Sequence, residues 1–270
     1  MTLQWEGKGP CRLMRAALPW SPNWEHDRLP VREDALPGRD RFVDRAVASG
    51  VTYTYALHLG SAPVQHLEIT IPPRVLRRSQ HPQLRVDKHN YVLEVWEGKH
   101  FLKAYPIALG ADPRKRKLSQ DNSTTPEGRY RITGAQPQAT YYRAFDLDYP
   151  NAADRARYQL LHPTSQIGGE IQIHGKGIGR NWTWGCMAMR NPDIDELFAH
   201  SEIGPGTVIW IYGGEATLAD IQSDANNPLT PLELGRRQKA RGLAVTCLWD
   251  VASKIKCNNR PADRSNSPPR

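Results

Sequence analysis

The sequence predicts a mainly β protein with short helices, and three kinds of pattern lead to this fold class. Runs such as "VTYTYALHL" (51–59) and "VQHLEITI" (64–71) alternate apolar and polar residues, as half-buried strands do. Prolines and glycines separate these runs, as expected of turns between strands. Helical patterns are short and few. A chain of 270 residues has room for one large domain or for a domain with extensions.

The most regular strand pattern begins at Leu84. Residues 84–110 predict three strands, with a tight turn around Gly98 between the second and the third. Further strands are expected where glycine or proline introduces an alternating run. These segments are "TTPEGRYRI" (124–132), "GGEIQIH" (168–174) and "PGTVIWIYG" (205–213).

Helices are expected at three places. The segment 138–158 carries aromatic residues and then a short polar piece that we expect to be helical. Asn191 is a good N-cap and Pro192 a good first residue for a helix over 191–200. That helix would bury Ile194, Leu197 and Phe198. In the C-terminal part, Thr230 and Glu233 form a capping-box pattern before a basic helix, which Gly235 and Gly242 would weaken.

These patterns divide the chain into three parts. Residues 1–83 are expected to form an N-terminal extension, partly irregular with candidate strands, and the first fifty residues show no sustained period. Residues 84–213 form the main β domain. Residues 214–270 are expected to be a basic extension with one helix and a disordered tail, "NNRPADRSNSPPR".

The net charge of +8 and the pI of about 9.4 favour anionic surroundings. Nucleic acid, a membrane face or an acidic polymer such as bacterial cell wall would fit, and so would a solvated basic surface with no dedicated partner. Zinc-finger and Arg/Gly-repeat patterns are missing, so no nucleic-acid partner is predicted. No apolar run approaches the ~20 residues of a transmembrane helix, and no secretory signal is visible at the N-terminus.

The four cysteines are Cys11, Cys186, Cys247 and Cys257, and no two of them form a C-x-x-C pair. Zinc ribbons and thioredoxin-type redox motifs are therefore disfavoured. Cys247 and Cys257 could form a disulfide in an oxidising compartment, or they could be two unrelated thiols.

His174 ends a predicted strand, and Cys186 follows it within the stretch "IQIHGKGIGRNWTWGCMAMRN" (171–191). A nearby histidine can take the proton of a thiol whose pKa is about 8.5 and return it to a leaving amine. Gly175 and Gly185 flank the pair and would let a substrate carbonyl and backbone N–H groups approach. The alternatives are core residues or a metal site. For a metal, the candidate ligands His162, His174, His200 and Cys186 lack the usual spacings, so none is predicted.

Three motifs in this order resemble the L,D-transpeptidase catalytic domain of bacterial cell-wall enzymes, the YkuD-like family. "VDKHNYVLEVWEGKHFLKAYPIALG" resembles its opening hairpin, and "TTPEGRYRI" its T-P-x-G-x-[FY] turn. "GGEIQIHGKGIGRNWTWGCMAM" is similar to its strand, His-Gly and [ST]-x-G-C core. The resemblance covers about 84–213, and it implies an L,D-transpeptidase-like β-sandwich or barrel without a cofactor.

The resemblance also implies roles for individual residues. Cys186 would be the acylated nucleophile and His174 its base and acid, oriented by the carbonyl of Gly175. Backbone N–H groups of Gly185 and Cys186 would form the oxyanion hole. The substrate would be a peptidoglycan tetrapeptide stem, from which D-Ala leaves before the acyl group passes to an amine of another stem. Such a transferase would serve cell-wall biogenesis and cell shape, whereas water as the acceptor would make it a hydrolase.

Some residues depart from the family pattern or admit two interpretations. Ala188 stands where many members have Asn or Arg, and Arg190 is either a substitute contact or a surface charge. A short His–Cys interval and the segment 141–156 are similar to a subgroup with hydrolytic members, some of which release wall-bound lipoprotein. The substrate-binding candidates are Tyr142, Arg143, Thr183, Trp184 and Arg190. Aromatic packing against the sheet is the alternative for Tyr141 and Tyr142, and Trp182 and Trp184 are expected to anchor their loop rather than flank the cleft.

The resemblance places the protein in the periplasm or at the cell wall, whereas no export signal is visible. A mis-assigned start codon or an unusual export route would reconcile the two. A non-catalytic wall-binding module is a further alternative, but binding alone needs no thiol beside a histidine. The sequence predicts no oligomeric state.

Overall fold

The computed structural model describes residues 1–6, 11–16, 28–34, 41–223, 229–243 and 245–248, and only the backbone of 28–34. The N-terminal part forms two small sheets, one pairing β1 with β4 and one with the order β3-β2-β5-β6. Their strands are β1 (Thr2–Gln4), β2 (Cys11–Ala16), β3 (Arg28–Asp34), β4 (Arg41–Val43), β5 (Thr52–Leu59) and β6 (Gln65–Thr70). The last two coincide with the alternating runs in the sequence.

The strands β2 and β3 lie where no regular structure was expected, and Arg15 shows why. Arg15 lies in β2 and is fully buried, so the strand lacks an apolar–polar alternation. Its guanidinium donates to the Asp44 carboxylate at 2.8 Å and to the Asn90 side-chain oxygen at 2.7 Å. The Tyr55 hydroxyl also donates to Asp44, at 2.9 Å. This buried polar network connects the N-terminal sheet to the main domain.

The main sheet has eight strands in the order β13-β12-β11-β10-β14-β7-β8-β9. The pairs β12–β13 and β14–β7 are parallel and the others antiparallel. Apolar side chains of this sheet form the largest core. The strands are β7 (Pro82–Asp87), β8 (Val92–Glu97), β9 (His100–Pro106), β10 (Gly128–Ala139), β11 (Tyr142–Leu147), β12 (Gln172–His174), β13 (Met187–Ala188) and β14 (Val208–Tyr212). The mainly β fold class is therefore confirmed.

Two helices lie at the sequence positions expected within the main domain, α1 (Ala152–Leu161) and α2 (Asn191–Phe198). The predicted N-cap of α2 is wrong by one residue, because Arg190 is the N-cap. The Asn191 side chain instead accepts a hydrogen bond from the backbone N–H of Lys176 at 2.8 Å. It therefore ties α2 to the loop that follows β12. Ile194 and Leu197 are buried, and Phe198 packs partly buried against the core.

The C-terminal part contains α3 (Leu218–Ser223), which the sequence did not predict, and α4 (Pro231–Ala240). The capping box of α4 is confirmed, since Thr230 and Glu233 each accept the other's backbone N–H. Gly235 has a packing role rather than a weakening one, because a Cβ there would lie 2.5 Å from the Cys247 sulfur. Cys257 and the predicted disordered tail lie outside the described residues. Across the described part of the chain, no helix is long and apolar enough to cross a bilayer.

Candidate active site

Two neighbouring strands place His174 and Cys186 on one face of the main sheet. His174 ends β12, which runs parallel to β13, and Cys186 immediately precedes β13. The register pairs Ile173 with Met187 and His174 with Ala188. Side chains alternate between the two faces of a sheet, and paired residues share a face. The side chains of His174 and Cys186 therefore leave the same face, two positions apart in register.

The loop after β9 holds β13 from its other side. Ala108 and Ala188 exchange two backbone hydrogen bonds, of 2.9 and 2.8 Å. The carbonyl of Leu109 accepts the backbone N–H groups of Trp182 and Thr183 at 3.2 and 3.3 Å. The segment that carries the cysteine is thus fixed on both sides although β13 has only two residues.

His174 is 1% exposed, and its Nδ1 lies 2.8 Å from the carbonyl oxygen of Gly175. A carbonyl can only accept, so Nδ1 carries the hydrogen and Nε2 keeps its lone pair. Burial lowers the pKa of His174, while the bond to Gly175 opposes the shift. The imidazole is therefore neutral near pH 7 and can act as a base through Nε2.

Gly175 is suited to this position because of its neighbours. A Cβ there would lie 2.8 Å from the side-chain oxygen of Asn191 and 3.0 Å from the Cβ of Tyr142. Its N–H donates to the carbonyl of Arg143 at 3.1 Å. The carbonyl that orients the imidazole is itself held by β11 and α2.

Two aromatic rings pack around the imidazole. The Tyr141 ring lies 4.8 Å from the His174 ring, tilted by 30°, and Trp182 lies 5.5 Å away at 63°. Trp182 Nε1 donates to the carbonyl of Gly177 at 3.2 Å. Trp182 therefore anchors the loop and restricts rotation of the imidazole. The sequence left Tyr141 the alternatives of lining the cleft or packing on the sheet; its ring is 37% exposed and contacts His174, which is compatible with both.

Cys186 is partly exposed, and its Sγ donates to the carbonyl of Glu170 at 3.5 Å. Burial raises the pKa of the thiol; the N–H of Gln172 and the charge of Lys117 lower it, and Glu170 raises it. The thiol is thus mainly protonated at rest and needs a base. Among the described residues, no hydrogen bond joins Sγ to His174. Proton transfer between them therefore requires the thiol to turn away from Glu170.

The loop before the cysteine is held by Thr183. Its hydroxyl donates to the carbonyl of Cys186 at 2.7 Å and accepts the N–H of Gly185 at 3.2 Å. Gly185 has φ of +128°, and a Cβ there would lie 2.5 Å from the carbonyl oxygen of Thr124. Thr183, predicted to bind substrate, is 4% exposed and instead shapes this turn. Gly185, predicted to donate to an oxyanion, directs its N–H to Thr183.

Other predicted substrate contacts are tied to α2. The hydroxyl of Tyr142 donates to Asp195 at 2.9 Å, and Nε of Arg143 lies 3.0 Å from the same carboxylate. Arg190 binds Asp193 through two hydrogen bonds of 2.6 and 2.9 Å. Tyr142 borders Gly175, but the charges of both arginines are already matched by carboxylates.

Trp184 differs sharply from the expectation that it anchors its loop. Its side chain is 79% exposed, directly before the Gly185–Cys186 pair. Trp182, two residues earlier, provides the anchor instead. The indole of Trp184 is therefore accessible to solvent beside Cys186, and it contributes little to the core.

Lys117 is the site residue that sequence reasoning missed. It is 3% exposed, and its Nζ donates to the carbonyl of Trp184 at 3.0 Å. The same Nζ would lie 3.4 Å from a Cβ placed on Gly185. In the sequence Lys117 belongs to the basic run "RKRK", which is typical of a solvated surface. No local pattern distinguishes it from Arg114 and Lys115, which are exposed members of the same run.

The candidate metal ligands do not come together. His200 accepts the backbone N–H of Ser79 through Nε2 at 3.1 Å, and His162 is the C-cap of α1. Within the described ranges, no three His, Cys, Asp or Glu side chains are grouped to hold a metal ion.

Comparisons with known proteins agree on one family. Residues 81–211 match the family model for the YkuD L,D-transpeptidase catalytic domain. Over 108 residues the chain is 36% identical to YafK of Escherichia coli (strain K12), which carries an L,D-transpeptidase name; the match covers 39% of each protein. The chain thus spans about two fifths of the length of that relative.

Solved structures that align with the chain are also L,D-transpeptidases. The enzyme from Xylanimonas cellulosilytica aligns with a TM-score of 0.35 and 16% identity, over 52% of this chain and 64% of that one. The catalytic domain from E. faecium aligns with a TM-score of 0.34 and 12% identity, over 50% of this chain and 100% of that one.

Proposed function

We propose, on the premise that residues 81–211 belong to the YkuD family of L,D-transpeptidase catalytic domains, that this protein is a cysteine acyltransferase acting on peptidoglycan stem peptides. One observation carries the proposal. A neutral, buried His174 has its Nδ1 hydrogen bonded to Gly175, on the sheet face that it shares with Cys186. A non-catalytic wall-binding module would not need an imidazole held in the tautomer of a base.

The acylation step uses these two side chains. The thiol turns from Glu170 and gives its proton to Nε2 of His174, and the thiolate attacks the carbonyl between the diamino acid and D-Ala. A C–S bond forms, and the carbonyl electrons move onto oxygen, where the N–H of Cys186 can donate. When the C–N bond breaks, Nε2–H protonates the leaving amine of D-Ala. A thioester on Cys186 remains.

The transfer step reverses the roles. An amine of a second stem attacks the thioester and passes its proton to Nε2, and Cys186 leaves as the thiolate, which then recovers the proton. Every proton and electron pair is accounted for by Cys186, His174 and the two substrates. The proposed reaction therefore uses no metal or organic cofactor.

The same site with water as the acceptor is the second candidate, a carboxypeptidase, an endopeptidase or an enzyme that releases wall-bound lipoprotein. The observation that favours it is at Ala188, which is fully buried and paired with Ala108. The methyl group of Ala188 is too short and too buried to reach a substrate, whereas many family members have Asn or Arg there.

Intact-mass spectrometry with a carbapenem β-lactam tests the nucleophile, because ring opening by a thiolate leaves a stable acyl adduct. We expect one adduct on the parent protein and none on Cys186→Ala. Purified muropeptides then distinguish the acceptors: cross-linked dimers indicate transfer, and tripeptides without dimers indicate hydrolysis. An unmodified parent protein together with unprocessed tetrapeptide would refute both candidates.

The proposed place of action is the periplasm or the cell wall, where the substrate occurs. The charge of +8 would favour association with an acidic polymer. Fractionation of cells, followed by N-terminal sequencing of the native protein, tests this placement. Recovery of an intact Met1 only in the cytosolic fraction would contradict it.

A further inference from the structure

A buried lysine lies against the backbone that carries the nucleophile. Lys117 is 3% exposed, and its ammonium donates to the carbonyl of Trp184 at 3.0 Å. Cys186 follows Trp184 two residues later in the chain. The ammonium therefore contacts the backbone of the same turn that ends at the cysteine.

The backbone of Lys117 is held from the opposite side. Its carbonyl accepts a hydrogen bond from the guanidinium of Arg157, in α1, at 3.3 Å. The preceding residue, Arg116, is buried; it lies 3.5 Å from Asp154 and donates to the carbonyl of Thr246 at 2.6 Å. The side chain of Lys117 therefore extends from a loop whose backbone is anchored on its other side, and it reaches the turn formed by residues 183–186.

Three charged or titratable side chains lie around the Cys186 thiol and influence whether it is protonated. Glu170 contributes its carbonyl as the acceptor at 3.5 Å, and its carboxylate disfavours a thiolate. His174 shares the sheet face and is uncharged near neutral pH. Lys117 contributes positive charge, which favours a thiolate. Lysine beside a cysteine is a known means of activating thiols.

We propose that Lys117 is a positioning residue for Cys186. Its ammonium fixes the Trp184 carbonyl and thereby the turn formed by residues 183–186, the nucleophile turn. Its positive charge stabilises the thiolate of Cys186. The role rests on the proposed function only in that it serves the same nucleophile. Lys117 does not touch the substrate in this scheme, and it acts through the backbone and the field at Sγ.

The test is the pH dependence of alkylation of Cys186 by iodoacetamide, followed by peptide mass mapping. In this reaction the thiolate forms an S–C bond and iodide leaves. Lys117→Met removes both the hydrogen bond and the charge, Lys117→Gln retains a donor without charge, and Lys117→Arg retains charge. Lys115→Met is the matched control, since that lysine is 73% exposed two residues away.

We expect the alkylation midpoint to rise by about one pH unit in Lys117→Met and Lys117→Gln, which lowers the rate near pH 7 about tenfold. The alkylation midpoint of Lys117→Arg should stay closer to that of the parent protein, and the midpoint of Lys115→Met should equal it. Unchanged midpoints in both neutral variants would overturn the electrostatic role. If Lys117→Met fails to fold, Lys117→Gln still decides the question.

Alkylation does not depend on peptidoglycan chemistry, so the two proposals fail separately. A shifted alkylation midpoint, with neither a carbapenem adduct on the parent nor processing of tetrapeptide, would support the role of Lys117 and refute the transpeptidase. A carbapenem adduct with unshifted midpoints would support the transpeptidase and refute the role of Lys117. Muropeptide kinetics provide a third readout, because a positioning residue should lower kcat more than it raises KM.

Discussion

Two buried lysines lie in two regions of the main domain, and their ammonium groups face different partners. Lys88 bonds to the Glu127 carboxylate at 2.9 Å and to the carbonyls of Lys115 and Thr125 at 2.8 and 3.0 Å. Lys117 bonds to the carbonyl of Trp184, in the nucleophile turn. Both side chains are nearly inaccessible to solvent.

In the region around Lys88, a buried carboxylate and several backbone groups hold the ammonium in place. The carboxylate of Glu127 also accepts the backbone N–H groups of Gly214, Glu215 and Ala216, at 2.6 to 3.2 Å. Each charge is thus compensated and hydrogen bonded, which is what a buried ion pair needs in order to be tolerated. Burial alone therefore does not identify a functional lysine. The atoms that the ammonium faces do.

The largest effect is expected from His174→Gln, in the nucleophile region. Loss of the proposed general base should lower the rate of carbapenem acylation by about 10²- to 10⁴-fold. The change should leave the alkylation of Cys186 at high pH nearly intact, because the thiolate then forms without a base. Stopped-flow acylation and alkylation rates measure both.

Tyr141→Leu is the control for that experiment, since it removes a ring that packs on the imidazole but no proton acceptor. It should slow acylation far less. Equal losses in the two variants would mean that His174 matters for packing rather than for proton transfer.

The acylation rate of the parent should depend on pH through the same imidazole. Burial lowers the pKa of His174, so the imidazole remains neutral, and the rate remains high, as the pH falls through the ordinary histidine value of about 6.5. The acid limb of the pH–rate profile should therefore lie below that value and vanish in His174→Gln. An acid limb above it would contradict the neutral, buried base.

A large loss of stability is expected when the partner of Lys88 is changed. Glu127→Gln leaves the charge of Lys88 buried without its carboxylate, which should lower the free energy of unfolding by about 3–5 kcal/mol. Denaturant titration measures the loss. Asp112→Asn breaks an exposed pair with Lys115 and should leave the free energy of unfolding nearly unchanged. The alkylation midpoint of folded Glu127→Gln should equal that of the parent, in contrast to Lys117→Gln.

The strands and the Cys186–His174 pair could be predicted from the sequence because both depend on local patterns. Alternation of apolar and polar residues predicts which strand faces are buried, and three motifs in order indicated the family whose model matches residues 81–211. The environment of Lys117 could not be predicted, since its contacts come from residues 184 and 157. A local pattern reports neither contact.

The predicted arginine contacts show the same limit. Arg143 was predicted to bind substrate, and the structure pairs it with Asp195, in the distant helix α2. Arg15 escaped notice because its partners, Asp44 and Asn90, lie 29 and 75 residues away. Long-range pairing of charges is therefore the part of this fold that residue spacing does not reveal.

A smaller effect is expected from Thr183→Val in the nucleophile turn. The valine removes the hydroxyl that accepts from Gly185 and donates to the carbonyl of Cys186, leaving both groups without this partner. The free energy of unfolding should fall by about 1–3 kcal/mol, and acylation should slow. Thr183→Ser retains the hydroxyl and should behave nearly as the parent does. If Thr183→Ser loses activity and Thr183→Val keeps it, the methyl group rather than the hydroxyl holds the turn.

The smallest effect on the fold is expected from Trp184→Ala, although this residue adjoins the nucleophile. A side chain that is 79% exposed has few contacts to lose, so the free energy of unfolding should change by no more than about 0.5 kcal/mol. The alkylation midpoint should also remain that of the parent, because the carbonyl that binds Lys117 belongs to the backbone. An effect confined to KM for muropeptides would make the indole a ligand contact. A shift of the midpoint would instead show that the indole, and not only the carbonyl, positions Lys117.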